Sequence, residues 1–308
     1  MKKIRYFDAH CDTIFRSFFT GEGLRTNGGH IALDRADVFE AYAQVFTFFF
    51  SADDAPEEGM LSIAKKMYDL FTSELEKNRD LMTHCKTAAD ISKNAETGKI
   101  SAVLSIEGAD LLECDPDNIE LAKEWGVRLI NPTWNCANAL SGTHCRESDR
   151  GLSDLGRAFV KTAEQANIMM DVSHLSEKGF WDLTEIAEKP IVASHSNSRA
   201  VFDHSRGLTD DQFKAICQTG GVVGLNFYTD FVGVDPCIDD LIRHLEHFLD
   251  LGGEKHVALG GDLDGCESTV KEITGFQDVP KLYDALEKRG YSKELLEDIF
   301  WNNWLRIF

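Results

Sequence analysis

Ile4-Arg5-Tyr6-Phe7-Asp8-Ala9-His10-Cys11-Asp12 opens the chain. Residues 4–11 have the β-favouring character of a strand, and alternate side chains of a strand share a face. On that reading His10 and Asp12 point the same way, with Asp8 behind them, and Cys11 points the opposite way. An imidazole beside a carboxylate at a strand end is half of a metal site. Taken alone, the stretch is equally an ordinary N-terminal strand with a few polar residues, so the other half must come from elsewhere in the chain.

The strand pattern recurs. Apolar runs at 41–50, 100–106, 126–131, 168–173, 190–194, 221–228 and 256–260 read as further strands, and 41–50 is largely apolar, as a strand covered on both faces should be. Helical periodicity marks 59–81, 88–98, 116–125, 152–167, the segment after Ser176, 209–219, 238–252, 279–289 and 292–308. Asp115 caps one of these helices at its start and Gly98 another at its end. Eight strands alternating with helices predict an α/β protein with a parallel sheet, and eight units favour a (β/α)8 TIM barrel. No glycine-rich phosphate fingerprint follows any strand, which weakens a dinucleotide-binding reading. The 308 residues suit one such barrel, which typically needs about 250, so residues 1–308 are read as a single domain. A helix-spaced stripe of Phe300, Trp304 and Phe308 is expected to pack on the barrel wall, a dimer interface being the alternative.

The balance of charge excludes some partners. With 32 basic and 52 acidic residues the net charge is −20, which argues against nucleic acid or an anionic membrane. Met1-Lys2-Lys3-Ile4-Arg5 has the basic start of a signal peptide, but Asp8, His10 and Asp12 fall where its apolar core should be. The most apolar run, 45–50, is far too short to span a bilayer. The expectation is a cytoplasmic protein whose eight cysteines, none in a Cys-x-x-Cys pair, are free thiols.

Polar residues stand directly after the apolar runs. They are His10 and Asp12, then Glu107, His174, His195 and Asp262. In a barrel all C-terminal strand ends face one mouth, so the six converge. A lone histidine after a strand is usually just a hydrogen-bonded residue. Three histidines and three carboxylates at the same ends of their strands predict a metal centre. The donors suit Zn²⁺, with Mn²⁺, Co²⁺ or Fe²⁺ as alternatives. Six groups exceed the needs of one catalytic zinc and suit two metals about 3.5–4 Å apart. His10 and Asp12 would hold one, His174 and His195 the other, and Glu107 would bridge. A shared water would then become the nucleophile, and Asp262 would shuttle a proton to a leaving amine.

The stretches FDAHCDT, SIEGAD, DVSHLS, ASHSNSR and LGGDLDG, in that order and spread over most of the chain, resemble the signature stretches of the membrane (renal) dipeptidase family of the amidohydrolase superfamily. The resemblance implies a (β/α)8 barrel, two zinc ions bridged by Glu107, and hydrolysis of dipeptides, including those with a C-terminal D-residue. His10, Asp12, Glu107, His174 and His195 match the family's metal ligands, and Asp262 its catalytic acid/base. Arg206 falls where the family grips the substrate's terminal carboxylate, a task that its fork geometry suits. Tyr228, at the end of the 221–228 run, is expected to line the pocket. A homodimer is implied by the resemblance alone. The chain departs from the mammalian members at Trp134, where they carry a histidine at the scissile carbonyl. Indole has one donor and no cationic form, so Asn135 or a metal must polarise the carbonyl, or the substrate differs. Two other readings follow: a hydrolase of another small amide or ester, such as an N-acyl amino acid or lactone, and a metal-dependent binding protein on a retired scaffold. Against the last, all six chemical positions are filled.

Overall fold

The computed structural model describes residues 3–308. Its strands are β1 (Arg5–Cys11), β2 (Ala41–Phe49), β3 (Met82–His84), β4 (Ile100–Glu107), β5 (Val127–Asn131), β6 (Met169–Met170), β7 (Val223–Leu225) and β8 (Val257–Leu259). All pair in parallel, in the order β6-β5-β4-β2-β1-β8-β7, with β3 beside the first residues of β4. Between β6 and β7 the expected strand at 190–194 is not regular. Val192 bridges Asp171, and Ala193 bridges Val223. These two bridges close the ring, and the protein is a TIM barrel whose sixth stave is held at single points.

The glycines explain that irregular sector. A Cβ on Gly224 would stand 2.0 Å from the Ser194 carbonyl oxygen, and one on Gly260 would stand 1.7 Å from it. Only glycine lets two neighbouring staves come this close to one carbonyl. The runs at 168–173, 221–228 and 256–260 accordingly shorten to two or three paired residues each. The extra strand β3 was not expected. Its three residues are too few to show any periodicity, and it fills the edge of β4 that β5 reaches only from Leu104 onward.

The interior of the ring is a cluster that takes side chains from every stave, among them Phe7, Val45, Val103, Leu129, Val192 and Ala258. Trp301 and Trp304 belong to it, and Phe308 packs against it. Trp304 also donates its indole N–H to the Leu259 carbonyl at 2.9 Å. The C-terminal stripe therefore stoppers the barrel instead of lying on its outer wall. A π-helical turn at Asp298–Asn302 interrupts the final helix. It changes the face presented, so that Phe300 stays in the larger cluster between barrel and helices while Trp301 and Trp304 turn inward. Among the described residues no helix is long and apolar enough to cross a membrane, and the eight cysteines form no disulfide.

Candidate metal centre

The first strand places His10 by a break in its register. β1 pairs with β2 from Arg5 opposite Ala41 to Asp8 opposite Gln44, and then Cys11 faces Phe46. One extra residue is taken up between Asp8 and Cys11, and a bulge of this kind re-aims the side chains beyond it. Before the bulge Phe7 and Ala9 lie in the interior cluster and Tyr6 in the outer one; after it, Cys11 lies in the outer one. His10 turns to the inside, where strict alternation would have sent Cys11. The expectation that Asp8 stands behind His10 on the same face fails for this reason. Asp8 accepts from the Tyr6 hydroxyl, from Gln44 Nε2 at 3.3 Å and from the Gly261 N–H at 3.0 Å. It also accepts the His10 backbone N–H at 3.0 Å, a bond that pins the bulge.

The other five groups reach the same end of the ring, Asp12 from just beyond the strand. Asp12 follows β1 at the start of the helix Thr13–Thr20 and makes no capping bond, which leaves its carboxylate to the site. Glu107 ends β4, and His195 follows the crowded Ser194 carbonyl. His174 and Asp262 sit at positive φ, 72° and 57°, conformations that non-glycine residues seldom adopt and that gather at functional sites.

The carboxylate of Glu107 lies between the histidines. His10 Nε2 is 3.7 Å from Glu107 Oε2, 3.4 Å from Asp12 Oδ2 and 3.8 Å from Asp262 Oδ1. On the other side Glu107 Oε1 is 3.0 Å from His174 Nε2 and 3.4 Å from His195 Nε2, and those two nitrogens are 3.0 Å apart. The second nitrogen of each ring is engaged elsewhere. His10 Nδ1 meets Thr47 Oγ1 at 3.3 Å, His174 Nδ1 meets Asn135 Oδ1 at 2.8 Å, and His195 Nδ1 meets Ser194 Oγ at 2.7 Å. Outer contacts of this type orient a ring and free its Nε2 for a cation.

His10 Nε2, Asp12 Oδ1 and Glu107 Oε1 are buried and have no hydrogen-bond partner. Buried polar atoms are normally paired, so three atoms of one centre left without a partner among the described residues fit bound cations. The electrostatics agree. Burial pulls the His10 imidazole down, but Glu107, Asp12 and Asp262 outweigh it and hold it up at about 10. Burial pushes the Glu107 and Asp12 carboxyls up and drives His174 and His195 well below the usual imidazole range. The centre thus favours positive charge beside its carboxylates and neutral imidazoles next to them.

A cavity of about 320 Å³ opens over the centre, and Trp134, Asn135 and Tyr228 line it together with Asp12, Glu107 and Asp262. Trp134 leans on Phe49, ring centroids 4.6 Å apart, and the Tyr228 hydroxyl donates to Glu267 Oε2 at 2.7 Å. Arg206 lies instead in an adjoining cavity of about 260 Å³, which shares His174 with the first. Its guanidinium stands 5.4 Å from the ring of Phe231, which lines the metal-side cavity. Arg206 is buried, Nε has no partner, and its other contacts are long: Ser196 Oγ at 3.5 Å and the His195 carbonyl at 3.3 Å.

The description "Membrane dipeptidase (Peptidase family M19)" matches residues 1–308. The chain belongs to this family. Among its relatives, a protein encoded in the pqqA 5' region of Klebsiella pneumoniae is 36% identical over 235 residues, 72% of this chain and 86% of that one. The solved structure of a family M19 metallopeptidase, dipeptidase AC, superposes with a TM-score of 0.92 at 28% identity, covering 99% of this chain and 98% of that one. A metallopeptidase from Rhodobacter sphaeroides, liganded with a phosphinate mimic of L-Ala-D-Ala, superposes with a TM-score of 0.91 at 28% identity, covering 99% of each chain.

Within the family frame, several residues at the site went unread in the sequence. Asn226 donates to Asp262, Thr47 and Ser105 line up behind His10, and His144 meets Asn135. Asn226 and Thr47 carried a faint signal as polar residues inside apolar strand runs. His144 lies in a long polar loop where nothing local marks it. Burial, followed by the charges of Arg206, His204 and Arg199, takes its pKa down to about 3.

Proposed function

We propose that the protein is a metal-dependent dipeptidase that holds two divalent cations, zinc by the chemistry of the donors. The observation that carries this is Glu107, whose two oxygens are divided between His10 on one side and His174 with His195 on the other. His10 and Asp12 would hold one ion, His174 and His195 the other, with Glu107 shared. Ions bound there would supply Lewis acidity, lowering the pKa of a water and polarising a carbonyl.

The chain's own residues do the rest. Arg206, a buried cation without an ion-pair partner among the described residues, binds the terminal carboxylate of the dipeptide. Trp134, Phe49 and Phe15 wall the cavity and exclude water from the scissile bond. As the water oxygen bonds to the carbonyl carbon, Asp262 accepts its proton and passes it to the amide nitrogen as the C–N bond breaks. Asn226 holds Asp262 Oδ2 at 2.9 Å for that transfer. Tyr228 and Asn135 line the cavity that takes the substrate. The cysteines, all unpaired, favour a reducing compartment such as the cytoplasm. The apolar wall at Trp134 favours a second reading, a hydrolase of N-acyl amino acids or similar small amides and esters.

A dipeptide panel including L-Ala-D-Ala and L-Ala-L-Ala, assayed on zinc-loaded protein alongside Asp262→Asn, tests the proposal. Turnover lost in the variant, with about two metals retained, supports it. Two bound metals with no turnover of any dipeptide would move the assignment to the second reading.

A further inference from the structure

We infer that Asn135 donates a hydrogen bond from Nδ2 to the scissile carbonyl oxygen, and that His144 fixes its carboxamide in that orientation. The inference rests on the dipeptidase reading above. It answers the question posed by Trp134, whose indole forms part of an apolar wall with Phe49.

Two imidazoles converge on a single oxygen. His174 Nδ1 lies 2.8 Å and His144 Nε2 lies 2.9 Å from Asn135 Oδ1. A carboxamide oxygen has two acceptor sites and no proton, so both ring nitrogens must donate. His174 Nε2 is turned to the centre, 3.0 Å from Glu107 Oε1, so with a cation held there the ring carries its proton on Nδ1, and rotating the amide by half a turn would set its NH2 against that N–H and lose the bond. The oxygen is therefore committed to the wall. Nδ2 makes no hydrogen bond to the described residues, is not a buried orphan, and belongs to a side chain that lines the metal-side cavity. It is the polar group that Asn135 presents to a substrate.

His144 is itself held. Its Nδ1 meets Ser205 Oγ at 2.8 Å, and its backbone N–H donates to the His174 carbonyl at 2.9 Å. Thr143 and Leu175 form an antiparallel bridge alongside. The 133–150 loop is thus stitched to the His174 turn on both sides of the amide. When water adds to the carbonyl carbon, the π pair moves onto the carbonyl oxygen, and the Nδ2–H bond to it strengthens. When the pair returns, the C–N bond breaks and Asp262 protonates the amine. A bond that strengthens only as charge develops accelerates the chemical step. His144 acts on the scissile carbonyl only through Asn135 and is a positioning residue for it.

The test compares zinc-loaded wild type with Asn135→Asp, His144→Leu and His144→Gln on the best dipeptide. Asp at 135 keeps both accepted bonds and loses the donor. Its kcat should fall about 100-fold, with KM within about twofold and metal content unchanged. Its affinity for a phosphinate dipeptide analogue, measured by calorimetry, should fall in step, while affinity for the product amino acid stays level. His144→Leu should lose about tenfold in kcat at an unaltered melting temperature, and His144→Gln, which can still donate, should recover most of it. Unchanged kcat or unchanged phosphinate affinity in Asn135→Asp would overturn the inference, and equal loss in both His144 variants would overturn the positioning role. A wild type that cleaves no dipeptide would overturn the dipeptidase reading and this inference with it. A working dipeptidase indifferent to the substitutions would overturn the inference alone.

Discussion

Asn226 donates its Nδ2–H to Asp262 Oδ2 at 2.9 Å, leaving Asp262 Oδ1 turned toward His10 Nε2 at 3.8 Å. The amide of Asn226 is fixed in turn, because its Oδ1 accepts the Tyr228 backbone N–H at 2.7 Å. Asn226→Ala frees the carboxylate to rotate away from the reacting nitrogen. We expect kcat to fall about 10- to 100-fold with metal content preserved. Steady-state kinetics with elemental analysis of the same sample checks this.

Removing metal should destabilise the fold. Three buried atoms, on His10, Asp12 and Glu107, face the centre without a partner. A cation at a hundredfold excess over its dissociation constant would stabilise the native state by about 2.7 kcal/mol. Calorimetry should show a melting temperature that rises with added zinc and drops on chelation. Glu107→Gln, which removes the shared charge, should flatten that dependence.

Acid should weaken the protein through a group far from the centre. His84, in β3, is mostly buried beside Phe71, ring centroids 5.4 Å apart. Burial, and then the Lys86 charge, pulls its pKa from 6.5 down to about 4. Between those values the unfolded chain binds the proton and the folded chain does not. Stability is therefore full above about pH 6.5, falls as the pH drops toward 4, and is lower by on the order of 3 kcal/mol below that. Urea unfolding of wild type and His84→Gln across that window should show the shallower slope in the variant.

Gly260→Ala would drive a methyl group into the Ser194 carbonyl, 1.7 Å from the ideal Cβ position. That carbonyl belongs to the residue before His195, so the strain reaches the centre. We expect a loss of about 1–3 kcal/mol in urea unfolding together with reduced kcat. Gly290→Ala, at φ 91° with nothing within 4 Å, should lose only about 1–2 kcal/mol and leave kcat unchanged.

Trp304→Ala would unstop the barrel. It removes a fully buried indole and its bond to the Leu259 carbonyl. Chemical denaturation should register a loss of about 3–5 kcal/mol. Trp304→Phe, which keeps most of the apolar volume, should lose much less.

The barrel and the convergence of six groups were legible because both are written in local pattern. Glu107, His174, His195 and Asp262 each follow an apolar run, and a parallel barrel sends every such position to one mouth. What was illegible depends on non-local contact. The bulge in β1 is a matter of register against β2, so the facing of Asp8 was misread while those of His10 and Cys11 came out correctly. The stave at 190–194 is apolar enough to be a strand, but its neighbours' glycines crowd it into two bridges. Arg206 lies beside His195, in a cavity that adjoins the one over the centre, a placement decided by the path of the loop that carries it. His144 carries no signal at all, because its partner Asn135 is chosen by the path of a loop.

The bulge in β1 makes the centre a matter of counting. Were the bulge lost at constant length, the strand would run in regular pleat against β2, with Cys11 opposite Thr47 in place of Phe46. The face that now offers an imidazole would then offer the thiol of Cys11, and His10 would be carried out among the helices. A hard nitrogen–oxygen donor set would become one with a soft sulfur in it, selective for different ions. Substitutions along this strand alter the ligands one at a time, whereas a slip of register exchanges them wholesale. Drift in this protein should therefore tolerate altered side chains around His10 more readily than loss of the bulge.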